Sequence, residues 1–175
     1  DAGAIVTNKK YLFDKAKKIA NHGRISNYDH ILAGRNSRLD SIQAYVLNQK
    51  IKKLNRDNQN RISQANFFLK NLGDEIRSSC LSQKQKSVFH QFPILSKRRK
   101  SLINFLKSKG INTGIYYPKP LSRMKAFQNI HKKGKNEFKN SEKVCKEILS
   151  IPIGPHLNIN DSRFISNAIQ SFLLK

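Results

Sequence analysis

Gly34-Arg35-Asn36-Ser37-Arg38-Leu39-Asp40-Ser41-Ile42-Gln43-Ala44 is where a polar loop turns into the longest helical pattern of the chain. Ser37 followed three residues later by Asp40 has the capping-box form, a hydroxyl and an acid that each accept an N–H left over in a first helical turn. Leu39, Ile42, Val46, Leu47, Ile51 and Leu54 then recur at three- and four-residue spacing. Ile62, Ala65, Leu69 and Leu72 continue the period as far as Gly73. A helix or helix pair of this length suits a bridge between two domains. The polar residues at its start admit two readings. Asn36 can donate a side-chain amide, Arg38 carries a permanent forked cation, and the N–H groups of a helix start aim at the same space, a combination that suits an anion. The other reading is a helix cap with solvent-facing arginines.

Upstream, Ala4-Ile5-Val6-Thr7 is a short β-favouring run, and Asn8 is a good N-cap for a helix whose Leu12, Ala16 and Ile19 share a face. Asn21-His22-Gly23 stops that helix, and the polar segment from Arg24 to Asn36, with its Tyr28-Asp29-His30 cluster, reads as a loop. Downstream, Val88 to Leu95 reads as a strand, Arg98 to Lys109 as a helix with Leu102, Phe105 and Leu106 inward, and Gly110 to Tyr117 as a second strand. Pro118 and Pro120 break the next stretch into a loop. Glu137 to Leu149 reads as a helix with Val144 and Ile148 inward, Ser150-Ile151-Pro152-Ile153 as an extended piece, and Ser162 to Leu174 as a closing helix. This alternation predicts a small α/β layer domain behind the long helix. Tyr116 and Tyr117, on a strand, point to opposite faces, so one is expected to pack while the other presents its hydroxyl at the surface or in a cleft. Two tyrosines lining a sheet edge is the plainer alternative.

The 175 residues carry 34 Lys+Arg against 11 Asp+Glu, a formal net charge of +23, with 38% hydrophobic residues. That apolar fraction can build a core, which argues against wholesale disorder. No uncharged apolar run of about 18 residues occurs, so no transmembrane helix is expected. The first residues lack the features of a signal peptide, and a chain opening on Asp inside a strand-like run is expected to be part of a longer polypeptide. The basic runs, such as Lys15-Ala16-Lys17-Lys18, Lys97-Arg98-Arg99-Lys100 and Lys132-Lys133-Gly134-Lys135, are dispersed along the whole length. With the excess of Asn and Ile they fit a compositional bias better than a nucleic-acid footprint, although a basic nucleic-acid-binding module stays open as an alternative. Cys80 and Cys145 stand alone, which fits reduced thiols in a cytoplasmic setting and no metal site. His22, His30, His90, His131 and His156 are scattered and read as structural or surface histidines. None of the familiar phosphate-loop, dinucleotide, serine-hydrolase or zinc-protease motifs is present.

Several segments taken in order carry a resemblance. They are Asp1-Ala2-Gly3-Ala4-Ile5-Val6-Thr7-Asn8, Asn21-His22-Gly23-Arg24, Tyr28-Asp29-His30, Gly34 to Ala44, His90-Gln91-Phe92, Gly110-Ile111-Asn112-Thr113-Gly114-Ile115-Tyr116-Tyr117-Pro118-Lys119-Pro120-Leu121, and Leu149-Ser150-Ile151-Pro152-Ile153-Gly154-Pro155-His156-Leu157. Together they resemble the C-terminal half of the sugar aminotransferases of the DegT/DnrJ/EryC1/StrS family, over essentially the whole chain.

The resemblance implies an α/β, fold-type I transferase dependent on pyridoxal 5'-phosphate. Residues 1–36 would be the end of the cofactor-binding large domain, 37–73 a long bridging helix region, and 74–175 a small C-terminal α/β domain. It implies a homodimer with shared active sites, a nucleotide-sugar substrate, an amino-acid donor (commonly glutamate) and no membrane or specific nucleic-acid partner. The lysine that carries the cofactor would lie upstream, so no catalytic residue is expected in this chain, which alone should be inactive. Asn36 matches the asparagine that reaches across the dimer to the cofactor phosphate, and Arg38 the neighbouring arginine near phosphate and substrate. Tyr116 and Tyr117 fall where many members carry His-Tyr in contact with substrate, and Ser122 where a His is common. A non-catalytic regulatory homologue is a further reading that the family admits.

Overall fold

The structure, a computed structural model, describes residues 2–73, 77–78, 85–127 and 138–174, and the chain divides into two units, Asp1–Lys53 and Leu54–Lys175. In the first unit, α1 spans Lys10–Ala20 and α2 Ser41–Ile51. Thr7 Oγ1 accepts the Lys9 N–H at 3.1 Å, and the Lys9 carbonyl accepts from Leu12 and Phe13. The cap is therefore Lys9 in place of the expected Asn8. Ala4 to Thr7 joins no ladder among the described residues, and Ile5 and Val6 are exposed. β-favouring side chains make a stable strand only beside a partner.

At the end of α1 the Gly23 N–H returns to the Lys18 carbonyl at 2.7 Å, with φ at +72°. Glycine adopts this left-handed exit without steric cost. A Cβ at Gly23 would also run into the Leu32 carbonyl of the returning loop. That loop, predicted from the sequence, then fastens itself to the last turn of α1. The Arg35 N–H bonds the Ile19 carbonyl at 2.8 Å, the Ser37 N–H bonds the Ala20 carbonyl at 2.9 Å, and the His22 N–H bonds the Arg35 carbonyl at 2.9 Å. The first two of these bonds satisfy carbonyls that a helix end leaves over. They also hold residues 35–37 out of a helix, so α2 starts only at Ser41, behind an extended Asp40 that makes no side-chain cap bond. The capping box expected between Ser37 and Asp40 is not formed.

The long apolar period is carried by two helices. After α2 the Lys53 N–H closes a tight turn on the Lys50 carbonyl at 3.0 Å, and α3 follows over Leu54–Asn71. Lys50, Lys52 and Lys53 crowd three like charges into one turn, which disfavours continuing the helix there. The division between units thus falls within the 37–73 stretch.

The second unit holds the core. Helix α3 buries Gln64, Ala65 and Phe68, Leu72 follows, and Gly73 ends the segment at φ +69°. Leu69, expected on the same face, sits one residue off that stripe and is exposed. Three strands, β1 (Arg77–Ser78), β2 (Phe92–Leu95) and β3 (Ile148–Ile151), form an antiparallel sheet in that order. Phe92 pairs with Ile151 and Ile94 with Leu149. These four alternate residues share one face. They pack with Phe68, with Leu102 and Leu106 of α4 (Arg99–Ser108), and with Ile169 and Phe172 of α6 (Ile159–Leu173). Each such side chain contributes about 1.5–3 kcal/mol by leaving water.

Several expectations change in detail. The strand expected from Val88 begins at Phe92, because the chain turns at Phe89, where φ is +47°. The strand expected over Gly110 to Tyr117 reduces to one bridge, in which Gly114 and Ser150 exchange N–H to carbonyl bonds of 3.0 and 2.7 Å. Pro118 and Pro120 have no N–H with which to extend a ladder. The helix expected from Glu137, a residue outside those described, is α5 (Lys139–Glu147). Arg99 Nη1 donates to the Cys145 and Ile148 carbonyls at 2.6 and 3.3 Å and closes it, so Ile148 and Leu149 enter β3. Val144, expected inward, is exposed. Helix α6 begins three residues before the expected Ser162. Asn158 Oδ1 accepts the Asn160 and Asp161 N–H groups, and Asp161 accepts the Asn158 N–H at 2.8 Å, a complete capping box. Cys145 is a free thiol, whereas Cys80, His131 and the Lys132-Lys133-Gly134-Lys135 run lie outside the described residues. No helix among the described residues is long and apolar enough to cross a membrane.

Candidate functional site

The bonds that delay α2 also place Asn36 and Arg38. Asn36 bridges to Asn21 at the end of α1, and two residues later Arg38 Nε donates to Asn36 Oδ1 at 3.1 Å. This bond consumes the acceptor end of the amide. The Asn36 NH2 and the terminal guanidinium nitrogens are left without a protein partner among the described residues, and no carboxylate pairs with Arg38 there. Both side chains are exposed. Arg38 lines a groove of about 760 Å³ with the Ala2 to Thr7 segment, Phe13, Lys17 and Gln43. The described lining contains two cations and no acid, and Lys17 Nζ lies 5.9 Å from the centre of the Phe13 ring. Outward N–H donors, forked cation and absence of carboxylates fit a phosphate dianion.

Tyr116 and Tyr117 belong to the second unit, and their arrangement differs from the expected strand. The rings meet edge to face with centroids 5.8 Å apart, and both are exposed in part. They serve two cavities. Tyr116 folds over Gly114, where a Cβ would come within 2.5 Å of its ring, and lines a cavity of about 440 Å³. Tyr117 lines a larger, more apolar one of about 880 Å³ with Leu121, Met124, Val144 and Cys145. Ser122 borders that second cavity, and its buried hydroxyl has no partner among the described residues.

The Tyr116 cavity gathers residues from three separate stretches of the sequence. His90 and Gln91 come from the approach to β2, Asn112 from the turn after α4, Ser150 from β3, and His156 from the turn before α6. The last turn is held by Gln64. Its Nε2 donates to the Gly154 and Leu157 carbonyls at 2.8 and 2.9 Å, and its Oε1 accepts the Gly154 N–H at 3.2 Å. A glutamine in phase with Ala65 and Phe68 on the buried stripe of α3 was the available signal, since a polar side chain on a core face needs a specific partner. Among the described residues no group of His, Cys, Asp and Glu could hold a metal ion.

The class follows from the comparisons. The model of the DegT/DnrJ/EryC1/StrS aminotransferase family matches residues 1–170, and the chain belongs to that family. The fold is shared with a solved DegT DnrJ EryC1 StrS aminotransferase from Brucella abortus, at a TM-score of 0.89 and 32% identity, covering 97% of this chain and 45% of that one. Among curated relatives, the "Pleiotropic regulatory protein" of Geobacillus stearothermophilus is 34% identical over 98% of this chain and 47% of its own length. The dTDP-3-amino-3,6-dideoxy-alpha-D-galactopyranose transaminase of Aneurinibacillus thermoaerophilus is 30% identical over 97% of this chain and 46% of its own. The chain thus spans about half the length of the curated relatives it matches. The family and the α/β fold expected from the motifs are borne out.

Proposed function

We propose that the protein carrying this chain is a nucleotide-sugar aminotransferase that uses pyridoxal 5'-phosphate to move an amino group from an amino acid, glutamate in the first instance, to a keto sugar on a nucleotide carrier. The observation that carries this reading is the match of residues 1–170 to the aminotransferase family, together with relatives named as dTDP- and UDP-sugar transaminases. When bound, the cofactor supplies the electron sink for exchanging an amino group between an amino acid and a ketone. The chain's own part is binding and orientation. The Asn36 amide donates to a phosphate oxygen, and Arg38 adds its permanent charge. The Arg38 Nε bond to Asn36 Oδ1 turns the amide so that its N–H groups are the free end. Tyr116 and Tyr117 contact the substrate.

On this reading residues 1–36 are the end of the cofactor-binding domain, 37–73 the bridge and 74–175 the small domain. The lysine that bonds the cofactor belongs to the part of the relatives' length that this chain does not match. The enzyme is a cytoplasmic homodimer with shared sites, acting in the synthesis of surface polysaccharide or modified sugars. The test is the visible absorbance of the full-length protein loaded with pyridoxal phosphate. Glutamate is expected to shift it, and a nucleotide-linked keto sugar to restore it. A protein that takes up no cofactor contradicts the reading. The name of the Geobacillus relative favours a second one, a regulatory homologue, which predicts cofactor bound without turnover.

A further inference from the structure

Tyr117 stands on a segment that leaves the sheet. Upstream the segment is fixed where Gly114 and Ser150 exchange backbone bonds. Beyond Tyr117, residues Pro118 to Phe127 join no strand among the described residues and form only two short turns of 3₁₀ helix, Leu121–Arg123 and Lys125–Phe127. Pro118 and Pro120 bring no N–H with which to bond a neighbour. Packing against α5 is interrupted as well. The cavity of about 880 Å³ has a described lining drawn from Tyr117 to Met124 on one side and from Phe138 and α5 on the other. Tyr117 and Leu121 are exposed.

An ion pair spans this gap. Arg123 donates from Nε at 2.6 Å and from Nη2 at 2.5 Å to the same oxygen, Oε1 of Glu142 in α5. Among the described residues the other ion pairs, Lys10 with Asp14 and Arg56 with Asp57, join near neighbours in sequence, whereas this one joins positions 19 apart. Its reach to Tyr117 is short and stiff. The Arg123 N–H closes on the Pro120 carbonyl at 3.0 Å, and the fixed φ of Pro120 and Pro118 leaves little slack between that turn and the tyrosine. Helix α5 runs straight into β3, the strand that carries Ser150. Both ends of the segment are thus tied to one continuous stretch of chain, with Tyr116 and Tyr117 held between the ties. Global stability gains little from the pair. Its side chains are 47% and 28% exposed, and ion pairs so open to water are weak.

We propose that Arg123 and Glu142 are positioning residues for Tyr117, a charged latch that sets where its ring meets the sugar nucleotide. The proposal rests on the reading that Tyr117 contacts the substrate. It is tested in the full-length protein, loaded with pyridoxal phosphate, with Arg123→Met, Glu142→Gln and the exchanged pair Arg123→Glu with Glu142→Arg. Each single change is expected to speed amide exchange in peptides spanning residues 119–127 about two- to fivefold, with the melting temperature little changed, and the exchanged pair to restore the protection. Titration with dTDP-glucose and UDP-N-acetylglucosamine reads the consequence. Affinity for the better-bound of the two is expected to fall about two- to fivefold in each single variant, as the latched fraction falls. It should fall no further when Tyr117 is already replaced by Ala, and the absorbance shift given by glutamate should keep its size and rate. Exchange at the wild-type level in both single variants removes the latch, whatever the protein binds. Faster exchange with unchanged affinity, or an equal loss of affinity in the Tyr117→Ala background, means that the pair does not act through Tyr117, and the positioning role is wrong while the aminotransferase reading stands. A wild type that binds neither sugar nucleotide overturns the nucleotide-sugar reading and the positioning role with it.

Discussion

Replacing Gln64 by Leu separates packing from polar anchoring at the centre of the second unit. The side chain is 4% exposed and makes three hydrogen bonds to backbone groups about 90 residues away, at 2.8, 2.9 and 3.2 Å. Leucine matches its bulk, so little cavity is created. What is lost is the partner of the Gly154 N–H and the side-chain donor to two carbonyls, of which that of Gly154 keeps the Leu157 N–H at 3.1 Å. Each buried group left unpaired costs about 1–3 kcal/mol, but the Leu157 carbonyl is only partly buried and water can replace its bond. The Gly154 N–H is the one buried group left unpaired, and the expected local penalty is therefore about 1–3 kcal/mol. It should appear as faster amide exchange in peptides spanning residues 152–158, measured by mass spectrometry on the full-length protein, while peptides of α4 keep their protection. Exchange at 152–158 indistinguishable from wild type would refute the claim that Gln64 holds this turn.

Three other outcomes rest on the same geometry. Gly23→Ala forces a Cβ into the Leu32 carbonyl at a backbone angle of +72°. It should destabilise by about 2 kcal/mol or more and lower the melting temperature, and an unchanged melting curve would argue against this loop path. Asn158→Ala removes the cap of α6 at a cost of about 1 kcal/mol, and Asp161→Ala added to it should cost less than the two single changes summed, in a thermal-unfolding cycle. Arg38→Met removes the only charged member of the Asn36 pair and should weaken pyridoxal phosphate binding about 10- to 100-fold by absorbance titration, with Asn36→Ala weaker in effect. Equal cofactor affinity in both variants would remove the phosphate role from this pair.

Helices and core are legible where one local signal decides them. The α4 stripe of Leu102 and Leu106 and the stop at Gly23 need only periodicity and a residue type. The misplaced boundaries share a different cause. Ser37 and Asp40 have a capping-box pattern, but residues 35–37 are tied to carbonyls of α1 15 or more positions earlier, a tertiary constraint that no window around Ser37 contains. Ile148 looks helical in phase with Val144 until Arg99 closes the helix from 49 residues away. The candidate site divides the same way. Asn36 and Arg38 are close in sequence and stand out together there, and the structure joins them by a hydrogen bond. His90, Asn112, Ser150 and His156 lie in three of the segments that carry the resemblance, but they converge on one cavity only after the sheet forms and Gly114 pairs with Ser150, which no single segment shows. The net charge of +23 points first to a polyanion, yet the anion of the proposed function, the cofactor phosphate, is assigned to Arg38 beside Asn36 and not to the dispersed lysines.

The most direct test of the aminotransferase account is to follow isotopically labelled nitrogen from glutamate. The full-length protein, loaded with pyridoxal phosphate, is incubated with labelled glutamate and a nucleotide-linked keto sugar, and the sugar nucleotide is weighed by mass spectrometry. The account predicts label on the sugar, and its loss when the cofactor-bonding lysine is replaced. A folded, cofactor-loaded protein that leaves every nucleotide-linked keto sugar unlabelled, with labelled glutamate and other amino-acid donors alike, would contradict it.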